Sequence, residues 1–209
     1  MKLRRREYRQ LKIEYRKNRV AGESGQVSWV WGLFLLLFLM ILLCMQMQVE
    51  MYRASSMYLE DALALSNLAS AVIDIREYGT TEKVLITDPE LAYERYCHAL
   101  QENLGLNNAF EAKRGKLLSG TVKICNYTIY NVVGEKVEVW QKNDIGQIQE
   151  WQGDVGEGRT PAGQVIEATG VYSEITYPVE GFLGIRVMAK KGKLVDVVRK
   201  REGQGGNED

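Results

Sequence analysis

The sequence predicts an α+β fold: a long N-terminal transmembrane helix that continues outside the membrane, a short second helix, and a small antiparallel β-sheet. Three observations predict it. Residues 27–45 (VSWVWGLFLLLFLMILLCM) form an apolar run with Ser28 as its one ordinary polar side chain, and no charge occurs between Ser24 and Val49. Neither Gly nor Pro occurs from Leu33 to Tyr78. From Gly120 onward the apolar residues recur every second position instead of every third or fourth, which is the period of strands.

At about 1.5 Å per residue the apolar run spans about 28 Å, close to the roughly 30 Å hydrocarbon layer, and a single helix satisfies its own backbone there. Charge confirms the polarity of the chain. The whole molecule carries 27 basic and 27 acidic residues, but Lys2, Arg4, Arg5, Arg6, Arg9, Lys12, Arg16, Lys17 and Arg19 all precede the apolar run. Clustered Lys and Arg beside a membrane helix stay cytoplasmic, which places everything after the span on the far side. A cleaved signal sequence is the competing reading; the basic stretch is too long for one, the apolar run too long, and MQMQVEMYRASS offers no A-x-A-like cut. The expected organisation is a basic cytoplasmic tail over 1–22, a transmembrane helix over 23–49, its external continuation over 50–79, an external α+β domain over 80–200, and a disordered tail over 201–209. The expected location is the cell membrane, with the N-terminus cytoplasmic and the C-terminal domain outside.

Beyond the bilayer an apolar row persists at heptad spacing. Met51, Tyr58, Leu65 and Val72 form one line, Ala54, Leu68 and Ile75 its companion, and Asp61 interrupts the second. Such a stripe must bury itself, either on a partner helix or on the protein's own later strands; we take it to pack on the strands. Gly79 is placed to end the helix. A second helix opens at Asp88, an N-cap followed by Pro89 and Glu90, and runs to about Asn103, with Leu91, Tyr96, Ala99 and Leu100 available for one face and Gly105 to close it. Strands are expected over Thr121–Tyr130, Lys136–Trp140, Val165–Glu167, Gly170–Tyr177, Ile185–Ala189 and Leu194–Val198, the last pair joined by a tight hairpin at Lys190–Lys193. The Gly-rich stretch 142–164 reads as a long loop or a weakly structured hairpin.

A basic tail, a membrane helix running on outside and a small antiparallel sheet resemble the layout of pilin-like proteins. Ser24–Leu37 (SGQVSWVWGLFLLL), Leu59–Ala71 (LEDALALSNLASA) and Gly170–Val198 are similar to the start, the small-residue helix and the terminal strands of TadE-like minor pseudopilins of the tight-adherence (Flp) pilus system. The resemblance implies an accessory component of a pilus or secretion apparatus. Pilins of this kind usually carry a Glu five residues past a peptidase cut; here Val27 and Val30 stand five after Gly22 and Gly25, a departure from that pattern that leaves processing and the matching charge pair open.

Function by contact follows from the residues as well. Helices in lipid pair through small residues or polar contacts, and Ser28 and Gly32, four apart, are the candidates within the span. Cys44, Gln46 and Gln48 at its outer end are either partner contacts or interfacial solvation. Expected partners are the lipid bilayer and other membrane or pilin-like proteins of the same assembly; a bitopic scaffold of cell-envelope or division machinery is the alternative. Nucleic acid is not expected, because the positive charge sits on a tail instead of the folded part. One His and three Cys leave no expected metal site, cofactor or small-molecule substrate. Gly158–Gly163 (GRTPAG) resembles a segment of L,D-transpeptidases, but no His or Cys follows it to act as base or nucleophile; it is expected to be a turn into Val165, and no enzyme activity is expected. Glu60 and Asp61, or Asp154 and Glu157, have no spacing that marks an acid–base pair. Asn126-Tyr127-Thr128 is a glycosylation sequon. Cys97 and Cys125 fall on the oxidising side and are either one disulfide or two separate buried thiols.

Overall fold

The computed structural model describes residues 3–113, 118, 120–180 and 186–197, without the side chains of 3–11, 13, 15–27 and 180. The basic side chains of the tail other than Lys12, together with Ile185, Val198 and the 201–209 tail, lie outside the described residues. The chain divides into two units, Met1–Glu50 and Met51–Asp209.

The first unit is helical from Leu3, within helix α1 (Leu3–Ser70). Every described side chain from Ser28 to Glu50 is exposed. An 18-residue window in the segment Ser28–Ser70 reaches a mean hydropathy of 2.5 with none of it buried, so this one helix is long and apolar enough to cross a membrane.

In the second unit the last turns of α1 are followed by α2 (Ile75–Thr81) and α3 (Pro89–Leu104) and by five strands: β1 (Lys123–Val133), β2 (Lys136–Asn143), β3 (Ile148–Asp154), β4 (Gly170–Glu180) and β5 (Arg186–Asp196). The fold is α+β, with an antiparallel sheet in the order β3-β2-β1-β4-β5. The pleat sends Tyr127, Ile129, Trp140, Val171, Ile175 and Tyr177 to one face, where they meet Leu59, Ala62 and Leu63 of α1 and Ala92, Tyr96, Leu100 and Leu104 of α3 in the main core. Tyr130, Val137, Val139 and Tyr172 point the other way and are covered by Ile166 from the segment that crosses from β3 to β4.

Several boundaries differ from expectation, each for a local reason. The helix does not run to Gly79. It stops at Ser70 because Asp74 caps a new helix: its carboxylate accepts from the backbone N–H of Arg76 and Glu77 at 2.9 and 3.2 Å, and its own N–H donates to Leu85 O. Gly79 lies inside α2, which ends at Glu82 in the left-handed region. α3 begins as expected, with Asp88 accepting from Leu91 N–H and Pro89 at the first turn, and Gly105 ends it at a φ of 63°. On it Tyr96 and Leu100 are buried, whereas Leu91 is exposed. The Gly-rich stretch contains strand β3, paired with β2 from Lys136↔Asp154 to Lys142↔Ile148. Its turn forms because Asn143 Oδ1 accepts from the N–H of both Ile145 and Gln147 and Gly146 takes a φ of 78°. Lys190–Lys193 is no hairpin: β5 passes straight through it, paired with β4 over its full length. Val165 makes only an isolated bridge to Arg159, closing the turn at Thr160–Gly163.

Candidate functional site

The outer turns of α1 present two faces. Leu59, Ala62, Leu63, Ser66, Asn67 and Ser70 are all buried against α3 and the sheet. The two serines are tied to backbone and to side chains of α3 and β1: Ser66 Oγ donates to Ala62 O at 2.7 Å and accepts from Asn103 Nδ2 at 3.0 Å, while Ser70 Oγ donates to Asn67 O and accepts from Tyr127 Oη. Asn67 reaches furthest, donating Nδ2 to Lys193 O at 2.8 Å and to Val171 O at 3.3 Å. At the rim Glu60 receives Lys193 at 2.7 Å and Lys191 at 2.9 Å. Lys193 first and then Lys191 hold the Glu60 carboxyl at about 2, well below its ordinary 4.5.

The predicted packing stripe is therefore the wrong face. Met51, Tyr58, Leu65, Leu68, Val72 and Ile75 are all exposed, between 39 and 79 %. The buried face combines Leu59, Ala62 and Leu63 with Ser66, Asn67 and Ser70, and it is Asn67 that answers the strand carbonyls. Val72 and Ile75 also fall after the end of α1 and belong to no continuous row. Within the long apolar segment of α1 Ser28 is exposed, and a Cβ placed on Gly32 would meet nothing within 4 Å.

Cys97 and Cys125 are free thiols, so the disulfide reading is not realised. The sheet separates them. Cys97 sits half-buried on α3, where burial raises its pKa; Cys125 lies at the register shift of β1 and contacts Thr176 Oγ1 at 2.8 Å, on the face opposite Ile175.

An aromatic group joins α3 to the sheet. Tyr96 and Tyr127 centroids lie 4.8 Å apart, Tyr93 is edge-on to Tyr127 at 5.3 Å, and Trp140 is edge-on to it at 6.2 Å. Lys142 closes the rim, 4.3 Å above the Tyr93 ring and 3.0 Å from Glu90. Burial raises the pKa of all three tyrosines, so they remain neutral phenols. An open groove of about 490 Å³ lies between the loop before α3 and strands β2 and β3, lined by Ile86, Asn131, Glu138, Trp140, Glu150 and Gln152 among others. Neither Cys nor His lines it, and the one His, His98, stands exposed beside Glu102 at 3.7 Å. Among the described residues no three His, Cys, Asp or Glu side chains are grouped to hold a metal ion. Glu60 serves the helix–sheet contact, Asp61 is exposed on the outer face of α1, and Asp154 and Glu157 stand at the end of β3 and the turn after it.

Comparison with protein-family models, with curated proteins and with solved structures finds no match.

Proposed function

We propose that this is a single-pass membrane protein whose work is protein–protein contact: an accessory, pilin-like component of a pulled-together envelope assembly such as a pilus or secretion apparatus, with its N-terminus cytoplasmic and residues 51–209 outside. The observation that carries this reading is the division of labour along α1. Its middle stretch, residues 28–49, is uncharged, largely apolar and exposed all round, as lipid requires, while its last turns bury Leu59, Leu63 and Asn67 on a five-stranded sheet. A helix that is membrane anchor at one end and core element at the other is the layout the pilin resemblance implies. A bitopic scaffold of the cell envelope is the second reading, favoured by the apolar stripe that α1 leaves exposed.

Two measurements test this. Alkaline extraction of membranes should leave the chain in the pellet, and a membrane-impermeant maleimide should label Ile145→Cys in intact cells; release into the supernatant, or labelling only after lysis, overturns the anchor and its orientation. Deleting the gene should then abolish surface fibres or secretion of a fibre-dependent substrate. Intact fibres and secretion in the deletion strain would leave the scaffold reading in place of the pilin-like one.

A further inference from the structure

We infer that the exposed row Met51, Ala54, Tyr58, Leu65 and Leu68, with Asp61 in its midst, is the seam of a parallel, in-register homodimer formed just outside the membrane. The inference rests on the single-pass reading but not on a pilus role. With successive residues about 100° apart, these six positions centre about 140° round the helix from the face that packs on the sheet. The domain therefore occupies one side of α1 and leaves the other free for a partner. Met51 and Leu65 are 67 and 57 % exposed, and Leu68 is 53 %; Tyr58 is less so because its hydroxyl donates to Asn103 O at the end of α3.

The spacing names the kind of partner, and the anchor names which one. Six positions at alternating intervals of three and four over eighteen residues, about 27 Å, apolar at all but Asp61, fit knobs from another helix and not a strand or a flat surface. A second copy held in the same bilayer by the same basic tail runs in the same direction and presents the same row at the same height. Tethering also keeps the two at a high effective concentration, so a seam of two and a half heptads is enough. Self-pairing meets no flanking repulsion, because Ser55, Met57 and Ala64 beside the seam are uncharged. Asp61 is the exception: in register it faces its own copy, which weakens the pair and opposes slipped registers that would set it against Leu65 or Leu68.

The test uses the full chain, with Cys44→Ser, reconstituted into phospholipid vesicles and oxidised with copper phenanthroline. Leu65→Cys and Leu68→Cys should each give at least fivefold more disulfide-linked dimer than Ile145→Cys, which is exposed at the β2–β3 turn. Asp61→Leu added to Leu65→Cys should raise the yield about twofold or more. Equal yields at the three positions, no dimer at any, or no rise with Asp61→Leu overturn the homodimer. Circular dichroism of each variant checks the fold; since Leu65 and Leu68 are exposed, the spectra should match the parent. A chain that stays in the vesicles yet fails to cross-link refutes the dimer alone, whereas a chain lost from the vesicles refutes the anchor.

Discussion

Asn67 on helix α1 donates its side-chain amide to Lys193 O of strand β5 at 2.8 Å, across 126 positions of sequence, and shares it with Val171 O of β4. The side chain is fully buried. The amide joins α1 to two strands at once, alongside the Glu60 ion pairs to Lys191 and Lys193 and the Tyr127 bond to Ser70. Asn67→Ala should cost about 1–3 kcal/mol, the range for leaving buried partners unpaired. Asn67→Asp should cost more, about 3–5 kcal/mol, because a buried carboxylate would face two carbonyl oxygens. Urea unfolding followed by Trp fluorescence measures both; an Asp variant as stable as the Ala variant would show that the amide is not the determinant.

At the rim of the same contact, Glu60 carries a pH dependence. Its carboxyl is held at about 2 in the folded protein by Lys193 and Lys191, against an ordinary 4.5. A depressed folded-state value means the folded state binds fewer protons, so the stabilisation is complete above about pH 4.5 and is lost as pH falls toward 2. Glu60 is 39 % exposed, and solvent screening limits the gain to about 0.5–1 kcal/mol. Glu60→Gln should therefore destabilise by that amount at pH 7, and the gap to the parent should close as titration proceeds to pH 2. A gap independent of pH would mean the pair contributes packing and not charge.

What the sequence made legible, and what it hid, divides by the range of the interaction. A helix long and apolar enough to cross a membrane, the Asp88–Pro89 start of α3 and its Gly105 stop rest on composition and on contacts within a few residues, and all three stand in the structure. The end of α1 is equally local, since Asp74 followed three residues later by Glu77 is an N-cap signal that acts without any Gly or Pro. The packing face was hidden for a different reason. Heptad apolar spacing identifies a face that wants burial, but Ser66, Asn67 and Ser70 become core residues only through partners on α3, β1 and β5. Strand β5 was split because Lys190, Lys191 and Lys193 read as a turn, while Glu174 and Glu60, far away in sequence, pair with all three lysines.

Gly192 is the point in β5 where a side chain is excluded. On the face away from the helices a Cβ there would run into the Tyr172 hydroxyl and ring. Tyr172 is fully buried and its hydroxyl donates to Glu174 Oε2 at 3.2 Å, so it cannot swing aside freely. Gly192→Ala should cost about 1–3 kcal/mol through overpacking, and Gly192→Ala combined with Tyr172→Phe should recover part of the loss. Thermal unfolding of the single and double variants decides this; a Gly192→Ala protein with an unchanged Tm would show that β5 shifts to make room.

The two external cysteines give the last prediction. Cys97 packs beside Tyr93 on the helical side of the sheet, and Cys125 meets Thr176 on the other. A disulfide needs Cα atoms within about 7 Å, which a β-sheet between the two does not permit. Intact mass under non-reducing conditions should therefore find both thiols free, even after export into an oxidising compartment. Burial raises the pKa of Cys97, which lowers its thiolate fraction and its reactivity. Maleimide should accordingly modify Cys97 slowly in the folded protein and quickly in urea. A Cys97–Cys125 linked peptide in a tryptic digest would contradict the separation and require α3 to pack elsewhere.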